Sequence, residues 1–99
     1  EPFGPLVPIL TFKNFDDVIK RANDNDLGLC SYLYTNSMDK AHIGSEKLET
    51  GCVAVNTGVV AIAEAPFGGI KQTGYGREGG SGAIKDYLNV KYTHMGLKI

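Results

Sequence analysis

The sequence has no tryptophan, only two methionines, two histidines and two cysteines, and almost no net charge. Ten basic against eleven acidic residues leave −1 at neutral pH, so there is no basic footprint for nucleic acid and no polybasic face for a membrane surface. No run of about 18 apolar residues exists, which excludes a membrane-spanning helix. Cys30 and Cys52 stand apart in apolar surroundings. That spacing fits neither a metal knuckle nor a dense disulfide framework, and it implies a reduced, cytoplasmic-type protein without a metal site. Either thiol is a nucleophile in principle, but both fall in predicted strands, where buried thiols are inert. His42 and His94 have no acidic residue nearby in sequence to orient them, so surface or packing roles outweigh catalysis. With 42% hydrophobic and 21% charged residues, the composition is that of an ordinary globular chain. At 99 residues it holds at most one small domain. Its opening, Glu1-Pro2-Phe3-Gly4, has neither an initiator methionine nor a charged-then-apolar leader, and reads as part of something longer.

Strand and helix signals alternate along the chain. Leu6 to Phe12 is apolar and interrupted by Pro8, which predicts an edge or irregular strand. Asn14 is placed to cap a helix whose first turn carries Asp16 and Asp17 and whose apolar face is Phe15, Val18, Ile19 and Ala22. Gly28 follows that helix, and Leu29 to Tyr34 reads as a strand. Ser37 caps a second helix, with Ala41, Ser45 and Leu48 on one side and Gly51 ending it. Cys52-Val53-Ala54-Val55 is continuously apolar, as a strand covered on both faces of a parallel sheet is. The order predicts an α/β fold, a mostly parallel sheet with flanking helices. From Thr57 to Gly80 neither period persists, and a stretch this long without regular structure is usually functional or disordered. Ser81 then caps a short helix with Ala83, Ile84, Tyr87 and Leu88 inward, and Asn89 to Leu97 reads as a C-terminal edge strand. There is no internal repeat.

Within the glycine-rich stretch APFGGIKQTGYGREGG, Gly74, Gly76 and Gly79 spell G-x-G-x-x-G. A dinucleotide fingerprint needs those glycines directly between a strand and a helix, with an acidic residue about 20 positions later. Here the preceding strand ends near Asn56, and too little chain follows Gly79 for a second strand. The stretch therefore reads as a tight loop whose backbone passes close to something. No Gly-Lys-Ser/Thr is present for a Walker site. Asn23-Asp24-Asn25-Asp26-Leu27-Gly28 superficially offers calcium ligands, but Leu27 and Tyr34 occupy its fifth and twelfth positions, so it is read as a helix-ending turn.

Glu1-Pro2-Phe3-Gly4-Pro5, Val55-Asn56 and, above all, Pro66-Phe67-Gly68-Gly69-Ile70-Lys71-Gln72-Thr73-Gly74-Tyr75-Gly76-Arg77-Glu78 resemble successive signatures of the NAD(P)-dependent aldehyde dehydrogenases. The resemblance covers essentially the whole chain. Asp86-Tyr87-Leu88, Val90-Lys91-Tyr92 and Asn56-Thr57-Gly58 make it most similar to the succinate-semialdehyde dehydrogenase branch. It implies that residues 1–88 are the C-terminal part of the catalytic domain and residues 89–99 an oligomerisation strand. It implies a cycle in which a cysteine thiolate adds to the aldehyde, hydride passes to NAD or NADP, and glutamate-activated water releases the acid. In the family that cysteine and that general base lie upstream of the first signature, so this chain contains no catalytic residue and is expected to be inactive alone. By the same resemblance Glu1 accepts hydrogen bonds from the nicotinamide-ribose hydroxyls and Phe3 packs beside the nicotinamide. Phe67, Ile62 and Ala61 line the substrate tunnel, and Asn56, Gly68 and Gly69 support the site. The implied partners are a small aldehyde, the rest of the enzyme chain, and further copies in a dimer or tetramer. One departure is visible: the succinate-semialdehyde branch commonly has a serine in the stretch matching Ala61-Ile62-Ala63, which is wholly apolar here. An acidic semialdehyde and an uncharged aldehyde both stay open. So does a different class of role, a non-catalytic α/β assembly module.

Overall fold

The computed structural model describes residues 3–98. Two helices and two small sheets form its ordered centre: α1 (Phe15–Asn23), β1 (Leu27–Gly28), β2 (Cys30–Leu33), α2 (Met38–Lys47), β3 (Cys52–Val55), β4 (Ile70–Lys71), and a 3-10 turn at Ala83–Tyr87. Strands β2 and β3 pair in parallel, with Cys30 opposite Cys52 and Leu33 opposite Val55. The α2 crossover joins them, because parallel neighbours cannot be linked by a tight turn. Strands β1 and β4 pair antiparallel, Leu27 against Lys71 and Gly28 against Ile70. The sheet is thus two separate pairs of opposite sense.

Local chemistry sets the helix ends. Asn14 is extended and its side-chain oxygen accepts from the Asp17 N–H at 3.1 Å, while Asp16 and Asp17 face the positive end of the helix dipole. Ser37 accepts from the Lys40 N–H at 3.3 Å in the same way. Helix α2 already ends at Lys47, ahead of Gly51, and its buried residue is Gly44. There a Cβ would strike the Leu33 side chain and lie 3.5 Å from the Phe15 ring, so the missing side chain lets α2 close onto β2 and α1.

Only Ile19 and Ala54 are buried apolar residues among those described. The Cα radius of gyration is 19.4 Å, against about 13 Å for a compact domain of this length. Both ends explain the excess. Leu6 to Phe12 forms no strand; it runs exposed, with an Arg21 guanidinium bond to the Thr11 carbonyl at 3.2 Å as its tether. Asn89 to Lys98 likewise runs exposed and outside any ladder. An apolar alternating segment becomes a strand only when a partner supplies the other half of its hydrogen bonds. The 3-10 turn begins after Gly82 with no side-chain cap, and Ile84, Tyr87 and Leu88 are exposed, not inward. A stand-alone module would have to leave this apolar surface in water; as part of a larger fold it has something to pack against.

Candidate active-site loop

The segment from Pro66 to Gly80 is a closed loop fastened at several points. At its neck Phe67 and Glu78 exchange both backbone hydrogen bonds at 2.7 Å. The Arg77 guanidinium donates at 2.8 Å to the carbonyls of both Gly69 and Gly76, holding the two limbs together from inside. Gly68 lies so close to the return limb that a Cβ would sit 2.5 Å from the Gly76 carbonyl oxygen, and at Gly69 it would strike the Thr73 side chain. Gly79, at φ +70, lies in the left-handed region, and a Cβ there would be 2.9 Å from the Ala65 carbonyl oxygen. These glycines serve close backbone approach.

Outside fastenings tie the loop to the α/β centre. The Thr73 hydroxyl accepts from the Gly28 N–H at 2.8 Å, and the Gln72 N–H donates to the Asp26 carbonyl at 2.9 Å. Lys71, at φ +57, sends its ammonium to the Asn23 and Asn25 carbonyls at 2.8 and 3.1 Å and to the Glu49 carboxylate at 2.9 Å. Carbonyls at the end of α1, where the dipole is negative, suit a cation. Two carbonyls of the Asn23–Gly28 turn, those of Asn23 and Asn25, are therefore turned to Lys71. Gly51 brings β3 against the loop so tightly that a Cβ would overlap the Gly68 carbonyl.

An open cleft of about 670 Å³ lies on the loop, lined by Leu29, Phe67, Gly68, Arg77, Asp86 and Tyr87 among others. It gathers Phe67, Gly68 and Gly69. Ala61 and Ile62 do not join it; both are exposed, Ile62 at 53%. Asn56 lies apart at the end of β3, at φ +56, and its amide makes two 2.8 Å bonds, accepting from the Thr35 N–H and donating to the Thr35 carbonyl. It buckles β3 to the end of β2. Phe3 is 91% exposed, with its ring uncovered, and Glu1 lies outside the described residues. Among the described residues no cluster of three or more metal-ligating side chains occurs, and no helix is long and apolar enough to cross a membrane. Burial, and then the adjoining Cys52 sulfur, push the Cys30 thiol above its ordinary pKa.

A family model described as the aldehyde dehydrogenase family matches residues 1–93. The chain belongs to the aldehyde dehydrogenase family. It is 47% identical over 97 residues to the succinate-semialdehyde dehydrogenase (NADP(+)) GabD of Escherichia coli K12, covering 98% of this chain and 20% of that protein. It is 46% identical over 96 residues to a glutarate-semialdehyde dehydrogenase of Pseudomonas aeruginosa, covering 97% and 20%. A crystal structure of an NADP-dependent enzyme from E. coli superposes with a TM-score of 0.88 at 47% identity, over 96% of this chain and 20% of that one. The NAD+ complex of a Bacillus cereus aldehyde dehydrogenase gives 0.85 at 43% identity, over 90% and 18%. The chain thus spans about a fifth of the aldehyde dehydrogenases it matches.

Sequence reasoning singled out Phe67, Gly68 and Gly69 in this aldehyde dehydrogenase loop but assigned nothing to Lys71, Thr73 or Arg77. A lone lysine inside a glycine-rich turn, with a carbonyl-rich helix end upstream, was the available signal.

Proposed function

We propose that this chain is the C-terminal part of an aldehyde dehydrogenase that oxidises a small semialdehyde with NAD or NADP in a reduced, cytoplasmic-type compartment. The observation carrying this reading is the Phe67–Glu78 loop, pinned to the α/β centre by Lys71 and Thr73, with Phe67 lining an open cleft. Relatives named for succinate and glutarate semialdehydes support the substrate class.

The dinucleotide, when bound, supplies the hydride acceptor. The uncovered ring of Phe3 fits a residue that packs beside a planar group, and Glu1 presents a carboxylate, an acceptor-only group suited to ribose hydroxyls. Phe67 narrows the approach to the reacting carbon from an upstream nucleophile, and the pinned loop fixes its position; small displacement of a positioning group costs on the order of 100-fold in rate. Asn56 holds the end of β3 against the end of β2, the strand pair that meets the loop through Gly51 and Cys52 at Gly68. Residues 89–98, which carry Val90, Tyr92, Met95 and Leu97 exposed and lie in no ladder, supply an edge for a dimer or tetramer.

The test is Ile62→Ser in the full-length polypeptide that carries this chain. If residue 62 faces an acidic substrate's carboxylate, one charge-assisted hydrogen bond, worth about 1.5–3 kcal/mol, raises kcat/KM for succinate semialdehyde about ten- to a hundredfold. For an uncharged aldehyde of equal length the lost apolar contact lowers kcat/KM, by up to about 1.5–3 kcal/mol in free-energy terms. An unchanged ratio between the two substrates removes Ile62 from the tunnel wall.

A further inference from the structure

The parallel register of β2 and β3 sets Cys30 directly opposite Cys52. Directly paired residues share one face of a sheet, and adjacent strands lie about 4.7–4.9 Å apart, inside the Cα separation of about 4.4–6.8 Å that a disulfide spans. Both cysteines are free thiols and both are only part-buried. Neither takes part in the loop chemistry above, except that the Cys52 thiol donates weakly to the Gly68 carbonyl at 3.7 Å. The apolar run that made these positions read as inert strand residues is also what brings the two sulfurs side by side.

We propose that Cys30 and Cys52 are a reversible dithiol–disulfide pair that bridges β2 and β3 when hydrogen peroxide reaches them. The peroxide oxygen transfers to one sulfur, giving a sulfenic acid and one water as the O–O bond breaks. The second sulfur attacks the first; the S–S bond forms, the S–O bond breaks, and the hydroxyl leaves with the remaining thiol proton as a second water. A small thiol reverses the bridge by exchange. Formation removes the S–H that reaches Gly68, so the bridge and the neck of the loop are in direct contact. The pairing itself rests on strand register and not on the enzymatic reading.

The test treats the native full-length protein with hydrogen peroxide, blocks free thiols with iodoacetamide before unfolding, and analyses a non-reducing tryptic digest by mass spectrometry. The expected product joins peptides 22–40 and 48–71 with loss of two hydrogens. Dithiothreitol separates them, and neither Cys30→Ser nor Cys52→Ser gives the linked species. Three results overturn the proposal: both cysteines recovered alkylated at peroxide doses that oxidise glutathione, sulfinic or sulfonic acid at either residue without a linked pair, or linkage of either to a different cysteine.

Discussion

Removing the Asn56 amide tests how the β2–β3 strand pair is held at its end. Asn56 leaves β3 with φ +56 and closes two 2.8 Å bonds on the backbone of Thr35, just beyond β2. In Asn56→Ala both bonds go, at about 0.5–1.5 kcal/mol each, and alanine in the left-handed region adds about 1–2 kcal/mol. Asn56 is exposed, so water replaces part of the loss and the lower ends apply; the sum is about 2 kcal/mol. Asn56→Gly loses the same bonds without the conformational cost and falls about 1 kcal/mol short of that. The expected order is wild type, then glycine, then alanine. Hydrogen exchange at the Thr35 amide, which donates to the Asn56 oxygen, reads this locally without global unfolding. Loss of about 1 kcal/mol accelerates exchange roughly fivefold. Alanine as stable as glycine refutes the left-handed cost, and unchanged Thr35 exchange in both variants refutes the clamp.

Two further outcomes follow from the same geometry. Lys71→Met leaves two carbonyls and the Glu49 carboxylate without their cation; with Glu49 half in solvent the cost is about 1–2 kcal/mol, read as a lower thermal midpoint and faster proteolysis within residues 66–80. Because burial and the Cys52 sulfur hold the Cys30 proton, alkylation of Cys30 by iodoacetamide lags behind a free thiol at neutral pH and gains on it as pH rises; equal rates across the range contradict that environment.

The parts that were legible in the sequence are those decided locally. Asn14 and Ser37 cap their helices because a short oxygen-bearing side chain meets free N–H groups wherever a helix begins. The parallel pairing of Cys30–Leu33, within the expected strand Leu29–Tyr34, with Cys52–Val55 follows from the helix between them. What escaped depends on distant partners. Leu6–Phe12 and Asn89–Leu97 carry strand-like patterns, yet nothing among the described residues pairs with them as a strand. The two-residue strands β1 and β4 are too short to show a period and exist because Thr73 fastens the loop to Gly28 and Lys71 fastens it to the end of α1. At the site, Phe67 and its glycines stood out through a motif, whereas Lys71 and Arg77 act through backbone carbonyls, which leave no mark in a residue pattern.

The central claim is that this chain is the positioning part of an aldehyde dehydrogenase whose nucleophile lies elsewhere in the same polypeptide. The direct measurement compares NAD(P)H formation, followed by absorbance, for the full-length polypeptide and for residues 1–99 alone, each given succinate semialdehyde, glutarate semialdehyde and an uncharged aldehyde with NAD+ and with NADP+. The account predicts turnover of at least one aldehyde by the full-length protein and none by the isolated chain, since positioning groups without a nucleophile open no covalent route. Turnover by the rigorously purified 99-residue chain, or a folded full-length protein that oxidises none of the aldehydes with either dinucleotide, contradicts it.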